Sequence, residues 1–513
     1  MSNRVLGFPD STCGLESVAR FLANGDLYPN PHGSYIGPIP YRQTWTRSRM
    51  KSSFLIIFPA IAVGVGTFLY QFGLDSGICW TAAVATLVAG WWITEPIPIP
   101  ATSLIPLAVF PIANVLTPSQ VAEAYGSKLI LLMLGGFLLS AAMERSGAHR
   151  RIALGMVNLF GGSSLRRLVF GFMAASAFLS MWISNAATTL MLLPIIMAIV
   201  SQTNNARLTT ALLLGTAYSA SIGGIGTPIG TPPNVIFMAV FQDQFGLEVG
   251  FVDWMKWAVP IAFVMLPVTA MWLTRGLAKT EPLTIPDVGS WRAEEVRTLG
   301  VFAVTAILWM TRQQPFGGWT GVAESAGFPM PLANDASVAL KGALAMFLIP
   351  NRRPDGQGDK LLDWETAQKI PWGILILFAG GLCLAEAFKE SGLSVLMGEG
   401  MANLGTLPTW VLIGVICLGV TFLTEVTSNT ATTTLLLPIL ATAAIAAELE
   451  PKMVMIPATI SASFAFMLPV ATPPNAIVFG SGQFSVGQMA REGLVLNLIG
   501  VIIVALLCYV MFS

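Results

Sequence analysis

Two Ser-Asn pairs lie in the middle of long apolar segments and have residue types suited to binding small ions. They are Ser184–Asn185 in segment 168–200 and Ser428–Asn429 in segment 409–446. Where a helical chain reverses inside a membrane, carbonyl groups at one end and N–H groups at the other have no helical partner. Carbonyl, Ser and Asn oxygens suit a hard monovalent cation such as Na⁺, whereas helix N-termini attract carboxylates. Since an Asn amide both accepts and donates, the two pairs predict a site for a cation and an anion together.

A second duplicated motif follows each Ser-Asn pair. It reads Gly230–Thr231–Pro232–Pro233–Asn234 and Ala471–Thr472–Pro473–Pro474–Asn475. Consecutive prolines remove N–H donors and force the preceding residue out of helical geometry. The break frees carbonyls near 227–231 and 469–472, which could close a cation site opposite each Ser-Asn turn. Ser180 and Thr424, one turn before each pair, add a hydroxyl on the same face. Simple proline kinks and Ser/Asn side chains that join helices remain the structural alternatives.

One carboxylate also lies in the second of these segments. Glu425 precedes Ser428–Asn429, and Met181 occupies its place in the first segment. An intramembrane carboxylate is a functional candidate by default, although a hydrogen bond to the hairpin backbone explains it equally well. Neither turn nor either break contains Lys or Arg, so an anion there would depend on amide dipoles, hydroxyls and bound cations.

The composition places these motifs in a membrane. Of 513 residues, 54% are hydrophobic and 11% are charged, whereas soluble domains carry about 25% charged residues. Lys+Arg and Asp+Glu both number 27, with no basic patch of the kind that a nucleic-acid partner requires. Two His and five scattered Cys provide no metal-enzyme motif. We therefore expect a polytopic membrane protein with no catalytic residues, and not an enzyme.

The distribution of positive charge predicts how the chain crosses the bilayer. We take 168–200 and 409–446 as re-entrant hairpins, 208–243 and 454–480 as broken helices, and residues 1–50 as a polar cytoplasmic tail. About eleven transmembrane helices plus the two hairpins then place 21 Lys/Arg inside and six outside, as the positive-inside rule requires. The predicted fold is all-α, in a plasma membrane (a bacterial inner membrane), with the N-terminus cytoplasmic and the C-terminus outside.

Internal similarity divides this architecture into two halves. Residues 131–147 resemble 376–392, the Ser-Asn blocks match at an offset of 244 residues, and the Thr-Pro-Pro-Asn blocks match at 241. The predicted topology runs the matching segments in opposite directions, so residues 51–275 and 276–513 are predicted to be inverted repeats. Such repeats place substrate and coupling ions near the bilayer midplane, where the broken helices meet.

These motifs, together with residues 91–112 (WWITEPIPIPATSLIPLAVFPI), resemble the divalent anion/sodium symporter family. The similarity runs from about residue 54 to the C-terminus. It implies a homodimer, an elevator-type transporter with a scaffold and a moving domain, and Na⁺-coupled uptake of C4-dicarboxylates such as succinate, malate and fumarate. A dicarboxylate exchanger, or a carrier of another divalent anion such as sulfate, is the alternative.

The resemblance also implies roles for individual residues. Two sodium sites would use Ser180, Ser184, Asn185 and Gly230 in the first half, and Thr424, Thr427, Asn429 and Ala471 in the second. The substrate carboxylates would contact Asn185, Thr231, Asn429, Thr430, Thr472 and Pro473. The departure is Ala186, where the family pattern has Thr. The hydroxyl missing there bears on which anion is carried.

Overall fold

The computed structural model describes residues 42–161, 164–203, 205–277, 289–313, 317–352, 360–401 and 408–512. Every element in these ranges longer than an isolated bridge is a helix, so the predicted all-α class is confirmed. The helices are α1 Arg42–Gln71, α2 Ser76–Thr94, α3 Ile99–Thr102, α4 Ile105–Ile112, α5 Pro118–Tyr125, α6 Lys128–Ser146, α7 Ala148–Gly161, α8 Leu165–Ser180, α9 Asn185–Val200, α10 Ala206–Gly224, α11 Pro232–Phe245, α12 Phe251–Leu273, α13 Ala293–Met310, α14 Gly318–Ser325, α15 Asp335–Leu348, α16 Trp364–Ala367, α17 Trp372–Glu390, α18 Leu393–Met401, α19 Thr409–Thr424, α20 Asn429–Ala446, α21 Pro451–Ser461, α22 Pro473–Phe479 and α23 Val486–Phe512.

Several of these helices are long and apolar enough to cross a bilayer. In the described ranges, seven stretches meet that condition, and three shorter apolar stretches accompany them. About 20 apolar residues are needed for a straight crossing. The count of eleven crossings remains a prediction.

One of the apolar segments counted among the eleven predicted crossings is divided. This segment, residues 98–115, forms α3 and α4, because its prolines remove helical N–H donors and favour helix starts. Of the predicted tail 1–50, residues 1–41 lie outside the described residues, and the rest forms the start of α1. Residues 42–50 contain neither Pro nor Gly, which permits a continuous helix there. The chain divides into two units, Met1–Ser53 and Phe54–Ser513, and all features below belong to the second.

Non-helical residues interrupt the four segments that carry the duplicated motifs. Residues 181–184 separate α8 from α9, and 425–428 separate α19 from α20. Longer breaks, at 225–231 and 462–472, precede the short helices that begin at the double prolines. Pro at the first helical positions is favourable because its missing N–H would have no partner there.

Packing between these elements joins the two halves reciprocally. Within each half, α8 packs on α10 and α19 packs on α21. Across the halves, α9 contacts α22 and α11 contacts α20. The second helix of each Ser-Asn pair therefore packs on the double-proline helix of the other half, which places the four interrupted segments in one region.

A buried ion pair joins elements outside this region. Arg312 and Asp335 are 5% and 7% exposed, and Arg312 Nε donates to Asp335 Oδ1 at 2.7 Å. Arg312 Nη2 also lies 3.1 Å from Glu248 Oε1. Removing either charge would leave the other buried and unpaired, which destabilises the folded protein.

Candidate cation and anion site

The first Ser-Asn turn is held by hydrogen bonds of its own side chains. The Ser180 hydroxyl, fully buried at the end of α8, donates to Asn185 Oδ1 at 2.5 Å. Ser184 is the N-cap of α9, and its Oγ accepts from the Ala187 N–H at 3.1 Å. An N-cap fixes the start of a helix by satisfying one free N–H. The structure thus brings Ser180 and Asn185 together, while the Ser184 hydroxyl stabilises the turn.

Backbone oxygens of the first break approach this pair. A Cβ placed on Gly230 would lie 2.4 Å from the Gly224 carbonyl oxygen and 3.0 Å from that of Ser180. A Cβ placed on Gly224 would lie 2.7 Å from Asn185 Oδ1. Carbonyl and amide oxygens therefore converge around two glycines, and only the absence of side chains lets them do so. Oxygen donors of this kind suit a hard cation.

Asn234 of the double-proline motif holds the first break in place. Its Nδ2 lies 3.0 Å from the Gly224 carbonyl oxygen and 2.7 Å from that of Thr227. Trp254 Nε1 donates to the Ile225 carbonyl at 2.7 Å, and the Thr227 hydroxyl donates to the Met181 carbonyl. The break is buried throughout, so these bonds satisfy groups that water does not reach.

The second half repeats the arrangement with Thr in place of Ser. The Thr424 hydroxyl lies 2.6 Å from Asn429 Oδ1 and 3.0 Å from the Ala462 carbonyl oxygen. The Thr427 hydroxyl instead bonds to the Leu423 carbonyl at 2.7 Å and lies 2.6 Å from the Thr432 hydroxyl. The structure therefore joins Thr424 and Asn429 through their side chains, and directs the Thr427 hydroxyl elsewhere.

Asn475 repeats the role of Asn234 at the same spacing. Its Nδ2 donates to the Ala465 and Leu468 carbonyls, at 2.9 and 3.0 Å, which lie ten and seven residues earlier. Asn234 bonds to carbonyls at the same two separations. In both asparagines the buried Oδ1 has no hydrogen-bond partner among the residues that the structure describes. The two Thr-Pro-Pro-Asn motifs therefore share a pattern of hydrogen bonds as well as a sequence. This shared pattern could not be seen from the sequence of either motif.

The remaining predicted anion contacts lie at or near helix N-termini. Thr231 and Thr472, each 4% exposed, are the N-caps of α11 and α22. Thr472 Oγ1 accepts from the Asn475 N–H at 3.3 Å. Thr430 is half-buried in the first turn of α20, and Pro473 is exposed as the first residue of α22. Ala471, beside Thr472, is 7% exposed.

Glu425 has partners that the sequence did not reveal. Its carboxylate accepts from the backbone N–H groups of Met467 and Leu468 at 2.8 and 2.9 Å. Within the described part of the chain these donors belong to the second break, and not to the hairpin backbone that was the structural alternative. Since its partners lie 42 and 43 residues away, no local pattern could identify them.

The described residues contain no group of three or more His, Cys, Asp or Glu side chains that could hold a metal ion. The oxygens that the structure brings together around Asn185 and Asn429 are carbonyl, hydroxyl and amide oxygens. This donor set favours an alkali cation over a transition metal.

Comparisons with known proteins agree with an ion-coupled transporter. Residues 51–512 match the family model described as the sodium:sulfate symporter transmembrane region. A sodium-dependent dicarboxylate transporter, SdcS of Staphylococcus saprophyticus, is 40% identical over 457 residues, covering 85% of this chain and 86% of that protein. SdcS of Staphylococcus aureus strain USA300 is 37% identical over 511 residues, covering 94% and 96%.

Solved structures of distant transporters share the fold. The Alcanivorax borkumensis YdaH transporter superposes with a TM-score of 0.54 at 15% identity, covering 79% of this chain and 88% of that one. Neisseria gonorrhoeae MtrF gives 0.53 at 14% identity, covering 79% and 84%. At these identities the likeness concerns the fold alone.

Proposed function

Because this chain belongs to the sodium:sulfate symporter family, we propose that it couples the inward flow of Na⁺ to the uptake of C4-dicarboxylates such as succinate, malate and fumarate. The observation that carries the proposal is the duplicated cluster of oxygens around Asn185 and Asn429. Relatives covering most of the chain are named sodium-dependent dicarboxylate transporters, which favours this function over exchange or sulfate transport.

Each half contributes one sodium site in this proposal. The residues are Ser180, Ser184, Asn185 and Gly230 in the first half, and Thr424, Thr427, Asn429 and Ala471 in the second. Asn185 and Asn429 are central because each amide oxygen can bind Na⁺ while the amide nitrogen donates to a carboxylate. Bound Na⁺ thereby completes the anion site electrostatically, and this is the basis of coupling.

The dicarboxylate lies between the two halves in this proposal. Its carboxylates contact Asn185, Thr231, Asn429, Thr430, Thr472 and Pro473. The cross-half packing of α9 on α22 and of α11 on α20 supports this placement. Since none of these residues carries a positive charge, the anion is held without a salt bridge and leaves once Na⁺ dissociates.

Alternating access follows an elevator movement in this proposal, and the transporter is a homodimer in the plasma membrane with its N-terminus cytoplasmic and its C-terminus outside. A moving unit that contains both clusters would carry Na⁺ and substrate together. Single-cysteine labelling from either side of sealed vesicles tests the orientation, and cross-linking in the membrane tests the dimer.

Radiolabelled succinate uptake into proteoliposomes tests the function directly. Vesicles either contain no dicarboxylate or are preloaded with unlabelled succinate, and an inward Na⁺ gradient is compared with a choline gradient in both. Uptake with Na⁺ alone is the expected result. Uptake that needs internal dicarboxylate and no Na⁺ gradient would replace symport by exchange, and Na⁺-driven uptake of sulfate without succinate would replace the substrate.

A further inference from the structure

Glu425 is a buried carboxylate that accepts three hydrogen bonds. It is 3% exposed. Oε1 accepts from the Met467 N–H at 2.8 Å and from Asn497 Nδ2 at 2.7 Å, and Oε2 accepts from the Leu468 N–H at 2.9 Å. Three separate elements therefore meet at one side chain: the turn after α19, the second break and α23.

The donors match an ionised carboxylate. All three partners donate N–H groups, and a carboxylate only accepts. Within the described chain, no Lys or Arg nitrogen lies within 4.0 Å of Glu425. Charge-assisted bonds to backbone N–H groups are stronger than neutral ones. A Gln at this position would direct an NH₂ at one of the backbone donors.

These bonds hold the backbone N–H groups of the second break, whereas Asn475 holds its carbonyl groups. Asn475 binds the Ala465 and Leu468 carbonyls, whereas Glu425 binds the N–H groups of Met467 and Leu468. The adjacent Thr424 contacts both Asn429 and the Ala462 carbonyl. The carboxylate thus fixes the distance between the Ser-Asn turn and the carbonyls of the break.

The first half has no equivalent carboxylate. Met181 occupies that position, and its backbone carbonyl accepts from the Thr227 hydroxyl. The first break is buried and held by Trp254. The second break is half-exposed at 467–469, and Val470 is 75% exposed, so this part of its backbone is less tightly packed than the first break.

We propose that Glu425 is a positioning residue that holds the second break in the geometry which binds Na⁺, and that it thereby sets the sodium affinity of the second half. It contacts neither Na⁺ nor dicarboxylate. The inference rests on the proposed function, since it assigns a cation to the Thr424–Asn429 cluster. The first half needs no such residue because its break is held by burial.

The test compares Glu425→Gln with Glu144→Gln. Glu144 lies near the end of α6, and its carboxylate accepts from Ser140 of the same helix at 3.3 Å. In Glu425→Gln we expect the Na⁺ concentration for half-maximal uptake, at saturating succinate, to rise about tenfold, equivalent to about 1.4 kcal/mol. The KM for succinate at saturating Na⁺ changes less than about twofold, and Glu144→Gln changes neither value.

A transport-independent measurement separates this proposal from the proposed function. The Na⁺-dependent rise in Tm of the purified protein reports cation binding without any substrate. In Glu425→Gln, the Na⁺ concentration that gives half of this rise, the Na⁺ midpoint, should increase about tenfold. If wild type shows this rise but no Na⁺-driven succinate uptake, the proposed function fails and the role of Glu425 stands. A midpoint unchanged by Glu425→Gln, or an equal loss of affinity for Na⁺ and succinate, overturns the positioning role.

Two further variants keep the test decisive should Glu425→Gln not fold. Asn497→Ala removes one of the three donors to Glu425 and also the Oδ1 that accepts from the Phe466 N–H at 3.2 Å. The Met467 and Leu468 N–H groups stay bound to Glu425, so a rise of at least about threefold in the Na⁺ midpoint is expected. Glu425→Asp keeps the charge and should retain more Na⁺ affinity than Gln. An unchanged midpoint in Asn497→Ala, or Asp behaving no better than Gln, contradicts the inference.

Discussion

The sharpest perturbation of the first cation cluster is a single methyl group at Gly230. Its φ is outside the left-handed region, so the backbone accepts Ala and only space is at issue. The new Cβ would lie 2.4 Å from the Gly224 carbonyl oxygen and 3.0 Å from that of Ser180. Relieving the closer contact requires a movement of about 1 Å. Asn234 Nδ2 holds the Gly224 carbonyl, so this oxygen cannot turn away without losing a buried hydrogen bond.

The expected size of the effect follows from the cost of overpacking. Inserting a methyl group into a filled site costs about 1–3 kcal/mol. If that cost falls on the geometry that binds Na⁺, affinity drops about five- to 150-fold, since 1.4 kcal/mol corresponds to a factor of ten. The Na⁺ concentration for half-maximal uptake should therefore rise at least about fivefold in Gly230→Ala.

Two control variants define the result. A Cβ added to Gly300, within α13, meets no atom within 4 Å, so Gly300→Ala should match wild type. Ala471, the repeat mate of Gly230, already carries a Cβ, so Ala471→Gly should largely preserve Na⁺ affinity. If Gly230→Ala retained wild-type Tm and an Na⁺ half-saturation within about twofold, the placement of a cation at these oxygens would be wrong.

Three further predictions concern other residues. Asn185→Ala and Asn429→Ala should each abolish Na⁺-driven succinate uptake while the purified protein keeps wild-type helical content by circular dichroism, because each removes an amide proposed to contact both ions. Ala186→Thr should alter the ranking of competing dianions in uptake assays, and leave the Na⁺ requirement unchanged, because it adds a hydroxyl to the first turn of α9. Arg312→Met should destabilise the protein by about 3–5 kcal/mol, seen as a lower Tm in detergent, because it leaves the Asp335 charge buried and unpaired.

Each of these has an outcome that counts against it. Wild-type uptake in both Asn variants would remove the site assignment. A changed Na⁺ requirement with unchanged anion selectivity would contradict the role given to position 186. For the ion pair, Lys369→Met is the control, because its bridge to Glu365 is exposed and such pairs contribute about 0–1 kcal/mol. An equal loss of stability in both Lys and Arg variants would show that burial is not the cause.

The duplicated motifs allowed the side chains that meet at each turn to be predicted, since residue type and spacing are local properties. Ser180 lies five residues before Asn185, and Thr424 lies five before Asn429. Each pair is joined by a side-chain hydrogen bond. Such a bond can form because a single turn of the chain brings the two positions together. The prolines likewise predicted where helices are interrupted, because their missing N–H acts within a few residues.

Contacts between distant segments could not be predicted in this way. Glu425 bonds to residues 42, 43 and 72 positions later, and a sequence pattern does not encode which buried donors will face a carboxylate. Ser184 and Thr427 were both expected to be sodium ligands. In the structure, the hydroxyl of each forms a hydrogen bond within its own turn. A hydroxyl competes for the nearest free backbone group, and that competition is decided by local geometry.

The reciprocal packing of α9 on α22 and of α11 on α20 has a consequence for how substitutions act. Contacts in which part A of one unit meets part B of another, and the reverse, are those of a two-fold symmetric pair. A change in the second helix of one Ser-Asn pair therefore acts on the double-proline helix of the other half. Where the two sequences differ, as at Met181 and Glu425, equivalent substitutions in the two halves act on different contacts.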